Sequence, residues 1–119
     1  MDAWRSELTI AVDYIRYHRV IVACDRGRVV GFYGLEFRER VAYLEHLWVE
    51  PDRIGSGIGR ALLAEVRNDA RNRGYGVVEL VADPYAEPFY LRQGAIRIGE
   101  VRGSILGAPR ILPRMRLDL

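Results

Sequence analysis

The chain has no lysine: all eighteen of its basic residues are arginines. They are spread along the sequence and the formal net charge is only +2, a balance that argues against a dedicated nucleic-acid surface. Cysteine is almost as scarce. Cys24 stands alone, which excludes an intramolecular disulfide, and its apolar setting reads as a small buried hydrophobe rather than a nucleophile. No apolar run is long enough to span a bilayer, and the first residues, with Asp2, Arg5 and Glu7, lack the pattern of a secretory signal. A cytoplasmic location is therefore expected. There is no internal repeat and no low-complexity tract. With 119 residues, half of them hydrophobic, the chain can build one core and little more, so a single domain over 1–119 is expected.

What is present reads as alternating strands and helices. The spacing of Trp4, Leu8, Val12 and Ile15 predicts two short helical pieces at 2–8 and 12–18. Apolar, β-branched runs at 20–24 and 29–37, joined by Asp25-Arg26-Gly27-Arg28, predict an antiparallel hairpin. A third strand at 41–49 is terminated by Pro51, which cannot donate to a sheet ladder. Ile58, Leu62, Val66 and Ala70 recur at helical spacing and predict an amphipathic helix over about 57–73, stopped by Gly74. The run at 77–82 follows that helix and is expected to lie parallel to 41–49. A short helix at 84–93, stopped by Gly94, and strands at 96–101 and 110–119 complete an α/β (α+β) arrangement. In the last strand Ile111, Pro113, Met115, Leu117 and Leu119 share one face, which is expected to be core.

The most informative segment lies between the third strand and the long helix. Gly55, Gly57 and Gly59 let the backbone curl with no Cβ in the way, so successive N–H groups can point into one concavity at a helix N-terminus, a site for an anion such as a pyrophosphate. Two phosphate ligands are excluded by spacing. A nucleoside triphosphate loop needs Lys and then Ser or Thr after its last glycine, where this chain has Arg60 and Ala61. The dinucleotide fingerprint needs a glycine at its sixth position, where counting from Gly55 or Gly57 gives Arg60 or Leu62.

The segment Val49-Glu50-Pro51-Asp52-Arg53-Ile54-Gly55-Ser56-Gly57-Ile58-Gly59-Arg60 resembles the acyl-CoA loop of the GCN5-related N-acetyltransferase (GNAT) superfamily, with Ile54 where Gln or Arg is usual. Asp83-Pro84-Tyr85-Ala86-Glu87-Pro88-Phe89-Tyr90-Leu91-Arg92-Gln93-Gly94-Ala95 resembles that family's Asn-x-x-Ala-x-x-Phe-Tyr-x-x-x-Gly-Phe helix, with Asp83 and Ala95 as departures. The resemblance implies a mixed central sheet, mostly antiparallel, with a splayed parallel pair flanked by helices. It implies an acetyl-CoA-dependent enzyme that transfers the acyl group directly to a small-molecule or peptide amine, without a metal. A non-catalytic acyl-CoA-binding sensor or assembly module is the alternative.

On that resemblance, main-chain groups of Leu47, Trp48 and Val49 pair with the pantetheine arm, and Gly55, Ser56, Gly57, Ile58, Gly59 and Arg60 hold the pyrophosphate, with Arg53 or Arg60 supplying side-chain charge. Asp83 is a further cofactor contact. Tyr90 is the candidate acid for the departing thiolate. Glu45, a charge amid apolar neighbours, is the candidate base, since an ammonium has no lone pair to attack with; a solvated strand residue is the bland alternative. His46 is expected on the opposite face from Glu45. Tyr33, Glu36, Phe37 and Tyr43 are expected to border the acceptor cleft, covered by the turn-rich stretch 103–109. The family's first strand and helix are expected to be missing, leaving the strand at Val20 an open edge. An open edge invites a homodimer in which the N-terminal segment, with Trp4, Tyr14 and Tyr17, or the last strand near Met115 packs on the partner; a natural protein that begins further upstream is the alternative.

Overall fold

The computed structural model describes residues 5–9, 18–105 and 107–119. One seven-stranded sheet runs through them in the order β1-β2-β3-β4-β5-β7-β6, formed by β1 (Arg5–Thr9), β2 (His18–Asp25), β3 (Arg28–Phe37), β4 (Ala42–Val49), β5 (Val77–Val81), β6 (Ile96–Ile105) and β7 (Ala108–Asp118). Every neighbouring pair is antiparallel except β4 with β5. That exception follows from connectivity, since the helix α1 (Ile58–Asn72) carries the chain back before β5 begins.

Local chemistry sets these elements. Arg26 and Gly27 both have positive φ, 52° and 78°, the conformation of a two-residue turn whose twist matches the β2–β3 hairpin. Along α1, Ile58, Leu62, Leu63, Val66 and Ala70 are buried, and each large side chain contributes about 1.5–3 kcal/mol of apolar burial. They meet Ile21, Ala23, Leu35, Phe37, Ala42, Leu44, Val78, Leu80, Met115 and Leu117 of the sheet. The short helix α2 (Glu87–Arg92) adds Tyr90 to the same core. It ends where Gly94, at φ 95°, lets Ala95 N donate to Tyr90 O at 3.0 Å and Gly94 N to Leu91 O at 3.1 Å, a helix stop that a side chain at Gly94 would strain.

Several expectations need correction. Residues 5–8, expected in a helical piece at 2–8, belong to strand β1, whose Arg5↔Cys24 to Thr9↔Val20 register covers the β2 edge, so that edge is not open. The second expected piece, through residue 17, lies outside the described residues; its last position, His18, begins β2. The stretch 103–109 is not an irregular connection: Gly103↔Arg110, Ser104↔Pro109 and Ile105↔Ala108 continue the β6–β7 ladder almost to its tip. Because that hairpin outruns β5, which pairs only with Arg114 to Asp118, Ile111 is exposed while Pro113, Met115 and Leu117 are buried.

Candidate functional site

Three features converge at the end of β4. The first is a bulge. Leu35 pairs with Leu44 and Gly34 with His46, leaving Glu45 as the extra residue, a device that re-aims a side chain and bends its strand. The second is a splay. The parallel register of β4 and β5 ends at Leu44↔Leu80 while β4 continues, held on its other side by Tyr33↔Leu47, Phe32↔Trp48 and Gly31↔Val49. The edge of Leu47, Trp48 and Val49 that faces away from β3 is therefore free of the β5 ladder, ready for an extended ligand with amide groups.

The third is the loop. A single 3-10 turn at Pro51–Arg53 leads into Gly55 (φ 87°) and Gly57 (φ 93°), conformations that L side chains rarely adopt. A Cβ built at either position would have no neighbour within 4 Å, so the loop opens onto space. Ile58, Gly59 and Arg60 begin α1, and their N–H groups find no acceptor among the described residues. Those donors and the helix dipole suit a phosphate. Gly59 differs from its two neighbours: a Cβ there would meet Phe89 at 3.4 Å and Val49 at 3.5 Å, so its role is close packing of α1 against α2 and β4. Of the two arginines, Arg53 is ion-paired with Asp25 at 2.8 Å, whereas Arg60 is exposed and has no ion pair among the described residues. Ile54 is 72% exposed.

Tyr90 is buried on the α1 side of the sheet, its ring edge-on to Phe89 with centroids 5.2 Å apart. Burial alone pushes its phenol up to about 12, so it stays protonated at any physiological pH. Asp83 follows β5, and its carboxylate is already engaged by Arg110 at 2.9 Å and by the Tyr85 backbone N–H at 2.8 Å. These two donors hold it below the usual carboxylate range.

Strand alternation separates the expected cleft residues. Tyr33 and Phe37 are buried on the α1 side; Tyr33 donates to Asp69 of α1, which also pairs with Arg19 at 2.8 Å. Glu36 and Tyr43 lie on the other face as a cross-strand pair. There His18 Nε2 stands 2.9 Å from Glu36 Oε2 and 3.4 Å from Glu45 Oε1. Arg38, whose guanidinium lies 3.9 Å from the Tyr43 ring centroid, also pairs with Glu36 and, ahead of the His18 hydrogen bond, holds that carboxyl below its ordinary value. The ligand atoms of His18, Glu36 and Glu45 lie within 4.8 Å of one another, but with Arg38 already on Glu36 the group reads as a charge-compensated cluster. His46 and Trp48 are exposed, and Trp48 stacks on Phe32 with centroids 5.8 Å apart. His18 was missed in the sequence because it fell in the expected helical piece; its cross-strand position opposite Glu36 becomes visible only with the β2–β3 register.

Comparison with known proteins agrees with this geometry. The sequence profile of the acetyltransferase (GNAT) family matches residues 2–95. An uncharacterized N-acetyltransferase of Methanocaldococcus jannaschii is 37% identical over 93 residues, 76% of this chain; the chain spans about two fifths of that relative, 39% of its length. Among solved structures, a GNAT family acetyltransferase from Elizabethkingia anophelis with acetyl-CoA bound superimposes over 100% of both chains with a TM-score of 0.82 at 14% identity. A ribosomal-protein-alanine N-acetyltransferase from Brucella melitensis covers 86% of this chain and 69% of its own, with a TM-score of 0.74 and 28% identity.

Proposed function

The chain belongs to the acetyltransferase (GNAT) family, and from that premise we propose that it transfers an acetyl group from acetyl-CoA directly to an amine. The observation that carries the proposal is the pairing of an open β4 edge with a glycine loop that opens a helix whose first N–H groups, at Ile58, Gly59 and Arg60, have no backbone acceptor among the described residues. The main chain of Leu47, Trp48 and Val49 pairs with the pantetheine arm. The donors of Gly55, Ser56, Gly57, Ile58, Gly59 and Arg60 take the pyrophosphate, with Arg60 as the side-chain cation. Asp83 helps hold the loop after β5 through Arg110.

For chemistry, Glu45 takes a proton from the acceptor ammonium and frees its lone pair for attack on the thioester carbonyl. Backbone N–H groups of the β4 edge face the oxygen on which charge develops. As the C–S bond breaks, Tyr90 donates a hydrogen bond to the departing thiolate. Full proton transfer from a phenol near 12 to a thiol near 8.5 would cost on the order of 5 kcal/mol, so donation of a hydrogen bond is the favoured role until solvent supplies the proton.

The acceptor, a small-molecule or peptide amine, a cytoplasmic location and a homodimer belong to the same reading. With β1 covering the β2 edge and β6 covering β7, a twofold contact by strand pairing would use one of the two outer strands, β1 or β6, and velocity sedimentation at micromolar concentration tests it. The exposed Ile54 and the engaged Asp83 carboxylate favour one second reading, an acyl-CoA-binding module without efficient catalysis. Thiol release in the presence of an amine panel separates the two: sustained release supports the enzyme. Calorimetry with acetyl-CoA tests the site itself. Gly57→Val, read with a folding control because φ is positive there, should weaken binding at least about 30-fold, and unchanged affinity would overturn the loop assignment.

A further inference from the structure

We infer that His18 is a positioning residue for Glu45, tying down one carboxylate oxygen so that the other meets the acceptor amine. This rests on Glu45 as the base. His18 and Glu36 face each other across β2 and β3, and Glu45 is the bulge residue of β4, so three adjacent strands deliver these groups to one point. Glu45 Oε1 is shut off from solvent and has no hydrogen bond of good geometry among the described residues; the His18 nitrogen at 3.4 Å is the cation-forming group that faces it.

The need for such a group follows from orientation. The oxygens of the two carboxylates lie within 4.8 Å of a common ring nitrogen and of each other, so without a donor between them they repel and turn apart. A carboxylate free to rotate presents no fixed oxygen to an amine. Glu36 has a second donor, Arg38, itself stacked on Tyr43; Glu45 has His18. In the next row of the sheet Glu79 of β5 faces Arg114 at 3.4 Å and is compensated separately. His18 Nε2–H is a donor placed between the two carboxylates, 2.9 Å from Glu36 Oε2 and 3.4 Å from Glu45 Oε1. His18 gives up no proton. The ammonium N–H bond breaks, an O–H bond forms on Glu45 Oε2, and that proton then leaves to solvent.

The test measures kcat/KM for an amine acceptor at saturating acetyl-CoA, together with acetyl-CoA affinity and thermal unfolding. His18→Ala should lower kcat/KM about 10- to 100-fold with acetyl-CoA affinity unchanged. His18→Gln, which keeps an N–H donor near the Nε2 position, should recover most of the loss. Because His18 acts through Glu45, the double variant His18→Ala/Glu45→Gln should be no slower than Glu45→Gln alone. Losses that multiply in the double variant, or a folded His18→Gln protein as slow as His18→Ala, overturn the positioning role while leaving the base intact. A fully active Glu45→Gln protein overturns the base itself, and the His18 role with it.

Discussion

His18 and Arg19 are neighbours on β2, yet alternation sends their side chains to opposite faces of the sheet and into clusters of opposite character. Arg19 joins Tyr33 and Asp69 under α1. Tyr33 is fully buried and Asp69 is 8% exposed; the Tyr33 hydroxyl and both Asp69 oxygens have partners, and burial together with the Asp69 carboxylate pushes the Tyr33 phenol far up. His18 joins Glu36 and Glu45 on the face without α1, with side chains about one quarter exposed, 24%, 24% and 27%. The first cluster locks a helix to a sheet. The second keeps a carboxylate with one solvent-shielded oxygen lacking a good hydrogen bond, the condition for reacting with something that arrives from outside. A polar group beneath a helix must be satisfied internally, whereas one beside an opening is available to a ligand.

Substituting one residue in each cluster should split rate from stability. Glu45→Gln should lower kcat/KM for the amine about 100-fold or more while moving the unfolding midpoint by less than about 2 °C. The loss should deepen at lower pH, where more of the amine is an ammonium that needs a base. Asp69→Ala should do the reverse. It strands the Tyr33 hydroxyl and the Arg19 guanidinium and should cost about 2–3 kcal/mol in urea unfolding, with kcat/KM per folded molecule retained. If folded Asp69→Ala protein loses as much rate as Glu45→Gln, the two clusters are not separable.

Tyr33 and Tyr90 sharpen the same contrast, since both phenols are buried on the α1 side but only Tyr33 is hydrogen-bonded to a carboxylate. Tyr90→Phe should slow turnover about 10-fold with acetyl-CoA affinity kept; equal turnover would make Tyr90 a packing residue. The smallest effect lies in alkali. A phenol ionises near pH 10 when unfolded but stays protonated in the fold, so its stabilising share is complete below pH 10 and is lost as the pH rises, for Tyr90 until about 12. Each buried phenol should therefore cost less than about 1 kcal/mol of stability at pH 10.5. Tyr90→Phe should flatten that slope in urea titrations, and an unchanged slope would show that the phenol is solvated.

Much of this architecture was legible in local pattern. The run of Ile58, Leu62, Val66 and Ala70, the hairpin around Gly27, the strand ending before Pro51 and the loop from Gly55 to Arg60 rest on periodicity and turn chemistry, which are properties of neighbouring residues. The strand at Arg5–Thr9 was not, because its partner is Val20–Cys24 and a short edge strand carries little periodicity of its own.

The chain by itself determined that a glycine loop opens an amphipathic helix and that a Phe-Tyr pair sits one helical turn ahead of a glycine stop. Only the tertiary structure decided which side chains share a face. A single extra residue at Glu45 shifts the β3–β4 register, and register sorts Tyr33 from Glu36 and brings His18 to Glu45. Such contacts depend on strand pairings between residues far apart in sequence, and the side-chain period of two makes every assignment of face hostage to a one-residue slip.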